Sequence, residues 1–214
     1  GEKPYTETAG NIDSLNLDQA QINLANAMIS TGKPVILVTL GGRPRIITAI
    51  AEQVPGVILG FLPGMEGGEA IADILYGDYN PDGKLPISYP GNTNDSVMYD
   101  HKPIESYDLN AYKRLYPVGH GLSYTTFQTS GLKVDKNKIN VDENITITVT
   151  VKNTGSLKGK ETVLLYLNDV AASVSRPNKQ LKAFKKIGLN PGQSENLSFT
   201  LTPYDLSFIG VDLK

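Results

Sequence analysis

The chain has no cysteine and no tryptophan, contains two histidines, and carries a formal charge of only −2 over 214 residues. The lack of cysteine excludes disulfides, thiolate catalysis and cysteine-based zinc sites. His101 and His120 stand far apart in sequence, which argues against a histidine-rich metal centre. No metal and no cofactor is therefore expected. No Lys/Arg run supplies the concentrated basic footprint that a nucleic-acid partner requires. No apolar run approaches the roughly 20 residues of a membrane helix, so no membrane partner is expected either. The opening residues show no signal-like charged and apolar regions, and localisation is not legible from them.

What remains is an ordinary folded composition, 40% apolar and 20% charged, long enough for one large or two ordinary domains. Two periodicities divide the chain. Asp18 to Ser30 places Ile22, Ala25 and Ile29 near helical spacing, and Gly32 follows where a C-terminal cap is expected. Pro34 to Leu40, PVILVTL, is a continuous apolar run that suits a strand buried on both faces. The pattern then predicts a helix over Arg45 to Gln53, a second buried strand over Gly56 to Leu62, and a short helix over Glu69 to Tyr76. Strand–helix alternation of this kind predicts an open α/β sheet, with too few strong strands for a complete doubly wound domain.

Residues 91–127 lose apolar periodicity and read as a long connection. From about Gln128 the period becomes two, clearest in Ile145, Ile147, Val149 and Val151. Further strands are expected at Glu161 to Leu167, Leu181 to Leu189 and Asn196 to Leu201, with a turn at Asn190-Pro191-Gly192. The expectation is an antiparallel β-sandwich of about five strands, short of the roughly seven of an immunoglobulin-like plan.

Common catalytic motifs are missing: there is no GxGxxG, GxxxxGK[ST], HExxH, EF-hand or GxSxG. Three features carry alternatives, and a fourth does not. Gly64 to Gly68, GMEGG, precedes a helix and suits either an anion at the helix N-terminus or close helix–loop packing. Arg43 follows a strand at its carboxyl end, where it either faces a ligand or braces the structure. The opening loop holds Glu2, Tyr5 and Glu7, which are either solvated or an acid whose pocket another domain supplies. His120, between Gly119 and Gly121, reads as a turn residue.

Six runs occur in order along nearly the whole chain: GEKPYTETAGN (1–11), TGKPVILVTLGGRP (31–44), LPGMEGGEAIADILYGDYNPDGKLPISYP (62–90), LYPVGHGLSYTTF (115–127), VTVKNTGSLKGKETVLLYLND (149–169) and SRPNKQLKAFKKIGLNPG (175–192). Together they resemble the C-terminal portion of glycoside hydrolase family 3, the β-glucosidase and exo-β-glucanase family. The resemblance implies a partial open α/β sheet (α/β sandwich) followed by an all-β fibronectin type III-like sandwich, incomplete at both ends. Residues 1–90 would be the C-terminal part of the α/β sandwich domain, 91–123 a linker, and 124–214 the fibronectin type III-like domain without its last strands. It also implies hydrolysis of terminal non-reducing β-D-glucosyl residues of a glucoside or glucan with retention.

Retention needs two carboxyl groups about 5–5.5 Å apart. The resemblance implies that the nucleophile belongs to an N-terminal (β/α)8 barrel that this chain lacks, and that Glu7 is the acid/base residue, with Glu2 in reserve. The chain alone is then expected to be inactive. Alternatives are a non-catalytic scaffold or carbohydrate-binding module using Tyr166, Phe184 or Tyr204, or a parent enzyme for another β-glycoside such as a β-xyloside. Asn11 and His120 depart from the Asp and Tyr common at those places in the family.

Overall fold

The computed structural model describes residues 10–93 and 114–211, and these form two compact units. One unit comprises residues 10–79, 87–93 and 114–118; the other comprises 80–86 and 119–211.

The first unit contains helix α1 (Gln19–Ile29), strand β1 (Ile36–Leu40), the short helix α2 (Thr48–Ala51), strand β2 (Gly56–Phe61) and helix α3 (Gly67–Tyr76). It also contains the short strands β3 (Tyr89–Pro90) and β4 (Arg114–Tyr116). β1 and β2 pair in parallel, from Ile36 opposite Gly56 to Leu40 opposite Phe61. The parallel strand–helix–strand order predicted from the apolar runs is present. The expected burial of β1 on both faces is not: Ile36, Val38 and Leu40 share one face and are 36–52% exposed. Among the described residues β1 pairs with β2 alone, and that face is left about half exposed. The predicted helix at 45–53 shortens to α2 because Ile46 is drawn into a parallel bridge with Asn16. Tertiary pairing outweighs helix propensity there.

α3 begins two residues before its predicted start and ends on Gly77, whose left-handed φ of 87° suits the cap. The region read as a long connection contains paired backbone: Tyr116 lies opposite Tyr89 and Arg114 opposite Pro90, the two residues just before that region.

The second unit is a β-sandwich of β5 (Phe127–Val134), β6 (Ile145–Asn153), β7 (Gly159–Leu167), β8 (Gln180–Leu189) and β9 (Ser194–Leu201), closed by the short helix α4 (Pro203–Leu206). One antiparallel sheet has the order β5-β6-β9, and β7 pairs with β8 in the other. Val149 and Val151 of β6, Ile187 and Leu189 of β8, and Leu197 and Phe199 of β9 form the core between the sheets. The period of two explains this: alternate side chains of each strand point inward, and the intervening threonines and lysines face water. Asn153 is fully buried at the end of β6. Its side-chain amide donates to the carbonyls of Leu157 and Leu189, at 2.8 and 3.0 Å. Its Oδ1 accepts from Thr125 Oγ1 and from the Gly155 amide, at 2.8 and 3.0 Å. All four hydrogen-bonding positions of the amide are thereby used.

Candidate functional site

Glu7 and Glu2, the carboxylates proposed for chemistry, lie outside the described residues. The segment immediately after them is described. Gly10 is buried, and its carbonyl accepts a hydrogen bond from the Arg43 guanidinium. Arg45 Nη1 donates to the carbonyls of Ser14 and Asn16 at 3.1 and 3.3 Å. The Ile46 amide donates to Leu15 O at 2.9 Å. Residues 10–16 are therefore laid along 43–46, the connection that leaves the carboxyl end of β1. In open α/β sheets this end of the strands is where ligands bind. Of the two readings of Arg43, bracing is the one its Gly10 contact supports.

Tyr89 packs beneath this junction, 2% exposed, with its ring centroid 6.3 Å from that of Tyr116. Burial pushes its hydroxyl up to about 12, while hydrogen bonds with the Arg45 backbone and the Thr39 side chain work in the opposite direction. The phenol stays protonated at neutral pH and works as a buried packing and hydrogen-bonding group.

Other sequence candidates fall into place as architecture. In the GMEGG run, Gly64 has a φ of +76°, and a Cβ on Gly67 would come within 2.5 Å of Pro63 Cγ. That supports close packing at the start of α3. His120 follows the turn at Val118-Gly119, and its carbonyl accepts from the Leu85 amide at 2.8 Å. Burial, and then the Lys84 ammonium, hold its imidazole below the ordinary value. Of the aromatics considered for sugar stacking, Phe184 and Tyr204 are exposed, at 68% and 87%. Tyr166 is half-buried, on the strand that also carries Leu164, which packs under the Gly119 turn. Among the described residues no cluster of His, Asp or Glu is arranged to hold a metal. No helix among them is long and apolar enough to cross a membrane.

One feature escaped sequence reasoning. A cleft of about 400 Å³ lies between α2 and β4, lined by Thr48, Glu52, Asn92, Arg114 and Tyr116 among others. It brings a carboxylate and a guanidinium to one opening. The pairing of β3 with β4 creates it, and no local pattern signals that pairing.

Comparison with known proteins identifies the surroundings of this site. The profile described as "Glycosyl hydrolase family 3 C-terminal domain" matches residues 1–124, and "Fibronectin type III-like domain" matches 161–214. A lysosomal β-glucosidase from Dictyostelium discoideum is 42% identical over 100% of this chain and 27% of its own length. A β-xylosidase from Formosa agariphila is 40% identical over 96% of this chain and 29% of its own. The crystal structure of a β-glucosidase from Listeria innocua in complex with glucose superposes with a TM-score of 0.89 at 35% identity, over 98% of this chain and 31% of that one. The chain thus spans less than a third of the length of each of these relatives.

Proposed function

The chain belongs to glycosyl hydrolase family 3, and from that premise we propose that it is the acid/base arm of a retaining β-glucosidase or exo-β-glucanase. In this proposal residues 1–90 complete an α/β sandwich domain, 91–123 link the domains, and 124–214 form the fibronectin type III-like domain. Glu7 donates a proton to the leaving glycosidic oxygen and then, as the carboxylate, activates the water that releases the sugar. Glu2 is the alternative holder of that role. The nucleophilic carboxylate comes from a (β/α)8 barrel outside these 214 residues.

The observation that carries the reading is the run GEKPYTETAGN, whose Gly10 carbonyl is tied by Arg43 to the carboxyl end of β1. A loop that must present an acid to another domain needs its base fixed, since small misplacements of a catalytic group are costly. The open face of β1 also supports it. Ile36, Val38 and Leu40 leave apolar surface of the kind that parallel sheets cover with further layers.

Because one carboxyl group cannot perform a double displacement, the isolated chain is expected to release no p-nitrophenol from p-nitrophenyl β-glucoside. Turnover by the pure chain would overturn the assignment of the nucleophile to a separate barrel. A β-xyloside substrate is the second reading, favoured by the 40% identity to the Formosa agariphila β-xylosidase. Comparing kcat/KM for the p-nitrophenyl β-glucoside and β-xyloside with the barrel-containing enzyme separates the two.

A further inference from the structure

We infer that residues 80–86 are a strap belonging to the β-sandwich unit, keyed by Asn80 and Asp82, which opens as one piece before the sandwich unfolds. The inference is independent of the enzymatic reading above. In chain order these residues follow α3, in the other unit, yet the partners that hold them are in the sandwich unit.

Asn80 is the hub. Its Oδ1 accepts from Ser123 Oγ and from the Tyr124 amide, both at 2.8 Å, and its Nδ2 donates to Lys158 O at 3.0 Å. One side chain thus joins the strap to the segment entering β5 and to the residue before β7. Asp82, 13% exposed, lies between Lys186 Nζ of β8 at 2.8 Å and Lys160 Nζ of β7 at 3.4 Å. Lys84 Nζ donates to Gly121 O at 2.7 Å and sits 3.4 Å from Glu161 Oε1 of β7. The Leu85 amide donates to His120 O, and the Gly119 amide donates to Leu85 O, each at 2.8 Å.

Three glycines pack too closely against backbone or side chains to carry a Cβ. A Cβ on Gly121 would stand 2.0 Å from Gly83 O, and one on Gly119, where φ is +81°, would stand 2.5 Å from Leu164 Cδ1. A Cβ on Gly159 would stand 2.9 Å from Asn80 Nδ2. The runs NPDGKLP and GHGLSYT are therefore two halves of one clasp, which gives a physical reason for their glycines.

The order of opening follows from what each part buries. The strap contributes Leu85 as its buried apolar side chain, whereas the sandwich core holds Val149, Val151, Ile187, Leu189, Leu197 and Phe199. A segment held mainly by polar contacts has a lower local opening free energy than the core beside it. Because Asn80 serves three bonds in two segments, its loss releases them together.

Native-state hydrogen exchange on the 214-residue chain tests this. The Leu85 and Gly119 amides should be protected, share a common opening free energy once their intrinsic exchange rates are divided out, and open more readily than β6 and β9. Asn80→Ala should speed both amides together by roughly tenfold and leave β6 and β9 unchanged. About 0.5 M NaCl should speed them in the wild type and have less effect in Asp82→Asn. The inference is overturned if Leu85 and Gly119 exchange as unprotected amides, if they exchange only with β6 and β9, or if Asn80→Ala leaves them unchanged. Should Asn80→Ala fail to fold, the salt comparison between wild type and Asp82→Asn decides by itself.

Discussion

Arg43 reaches from the connection after β1 to the backbone carbonyl of Gly10, three residues after Glu7 in sequence. A guanidinium used in this way fixes where the opening loop leaves the α/β unit. Arg43 is then a positioning residue. In the barrel-containing enzyme, Arg43→Ala should lower kcat by roughly tenfold to a hundredfold, with a smaller change in KM. The loss should be largest for substrates with poor leaving groups. A uniform rise in KM with kcat unchanged would show that Arg43 binds substrate instead.

Asn153 is the polar keystone of the sandwich, with four hydrogen bonds at no exposure. Asn153→Ala leaves the carbonyls of Leu157 and Leu189, the Gly155 amide and Thr125 Oγ1 short of a partner. The expected loss is roughly 2–4 kcal/mol, read as a lower urea midpoint of the sandwich unit at unchanged slope. Thr125→Val removes one of these bonds and should cost about 1 kcal/mol. Equal losses from the two substitutions would contradict this account of Asn153.

Burial and the Lys84 charge hold His120 below its ordinary value of 6.5. Between the lowered folded value and 6.5 the unfolded chain binds more protons, so stability rises with pH across that window. The contribution is complete above 6.5 and is lost as pH falls through the folded value. The wild-type unfolding midpoint should therefore drop more than that of His120→Gln when pH is lowered from about 7 to about 5. Parallel pH curves for the two proteins would remove His120 from the account.

How much of this was legible in the sequence depends on the range of the interaction. The alternation of Ile145, Ile147, Val149 and Val151 with threonines reports a strand with one buried face, and β6 is such a strand, paired on both edges. A period of two is legible from about Gln128, but the bounds of β5 are not, because its residues after Phe127 are exposed and its pairing slips near Gly131. Ile36, Val38 and Leu40 read as a doubly buried strand because periodicity reports apolar character and not whether a covering layer exists. The pairing of Tyr89 with Tyr116 and the Arg43–Gly10 contact are non-local and have no sequence period. Glu7 was reached through resemblance, since a carboxylate in a polar loop looks solvated until the pocket that perturbs it is known.

The assignment of Glu7 is tested most directly by leaving-group dependence in the barrel-containing enzyme. kcat/KM would be measured for wild type, Glu7→Gln and Glu2→Gln over aryl β-glucosides whose leaving phenols differ in pKa. Good leaving groups depart with little protonation, so loss of the acid should barely slow them and should slow poor ones by roughly two to four orders of magnitude. The account predicts that steep dependence for Glu7→Gln and a flat one for Glu2→Gln. The opposite pattern, or a loss from Glu7→Gln that is the same for every leaving group, would contradict it.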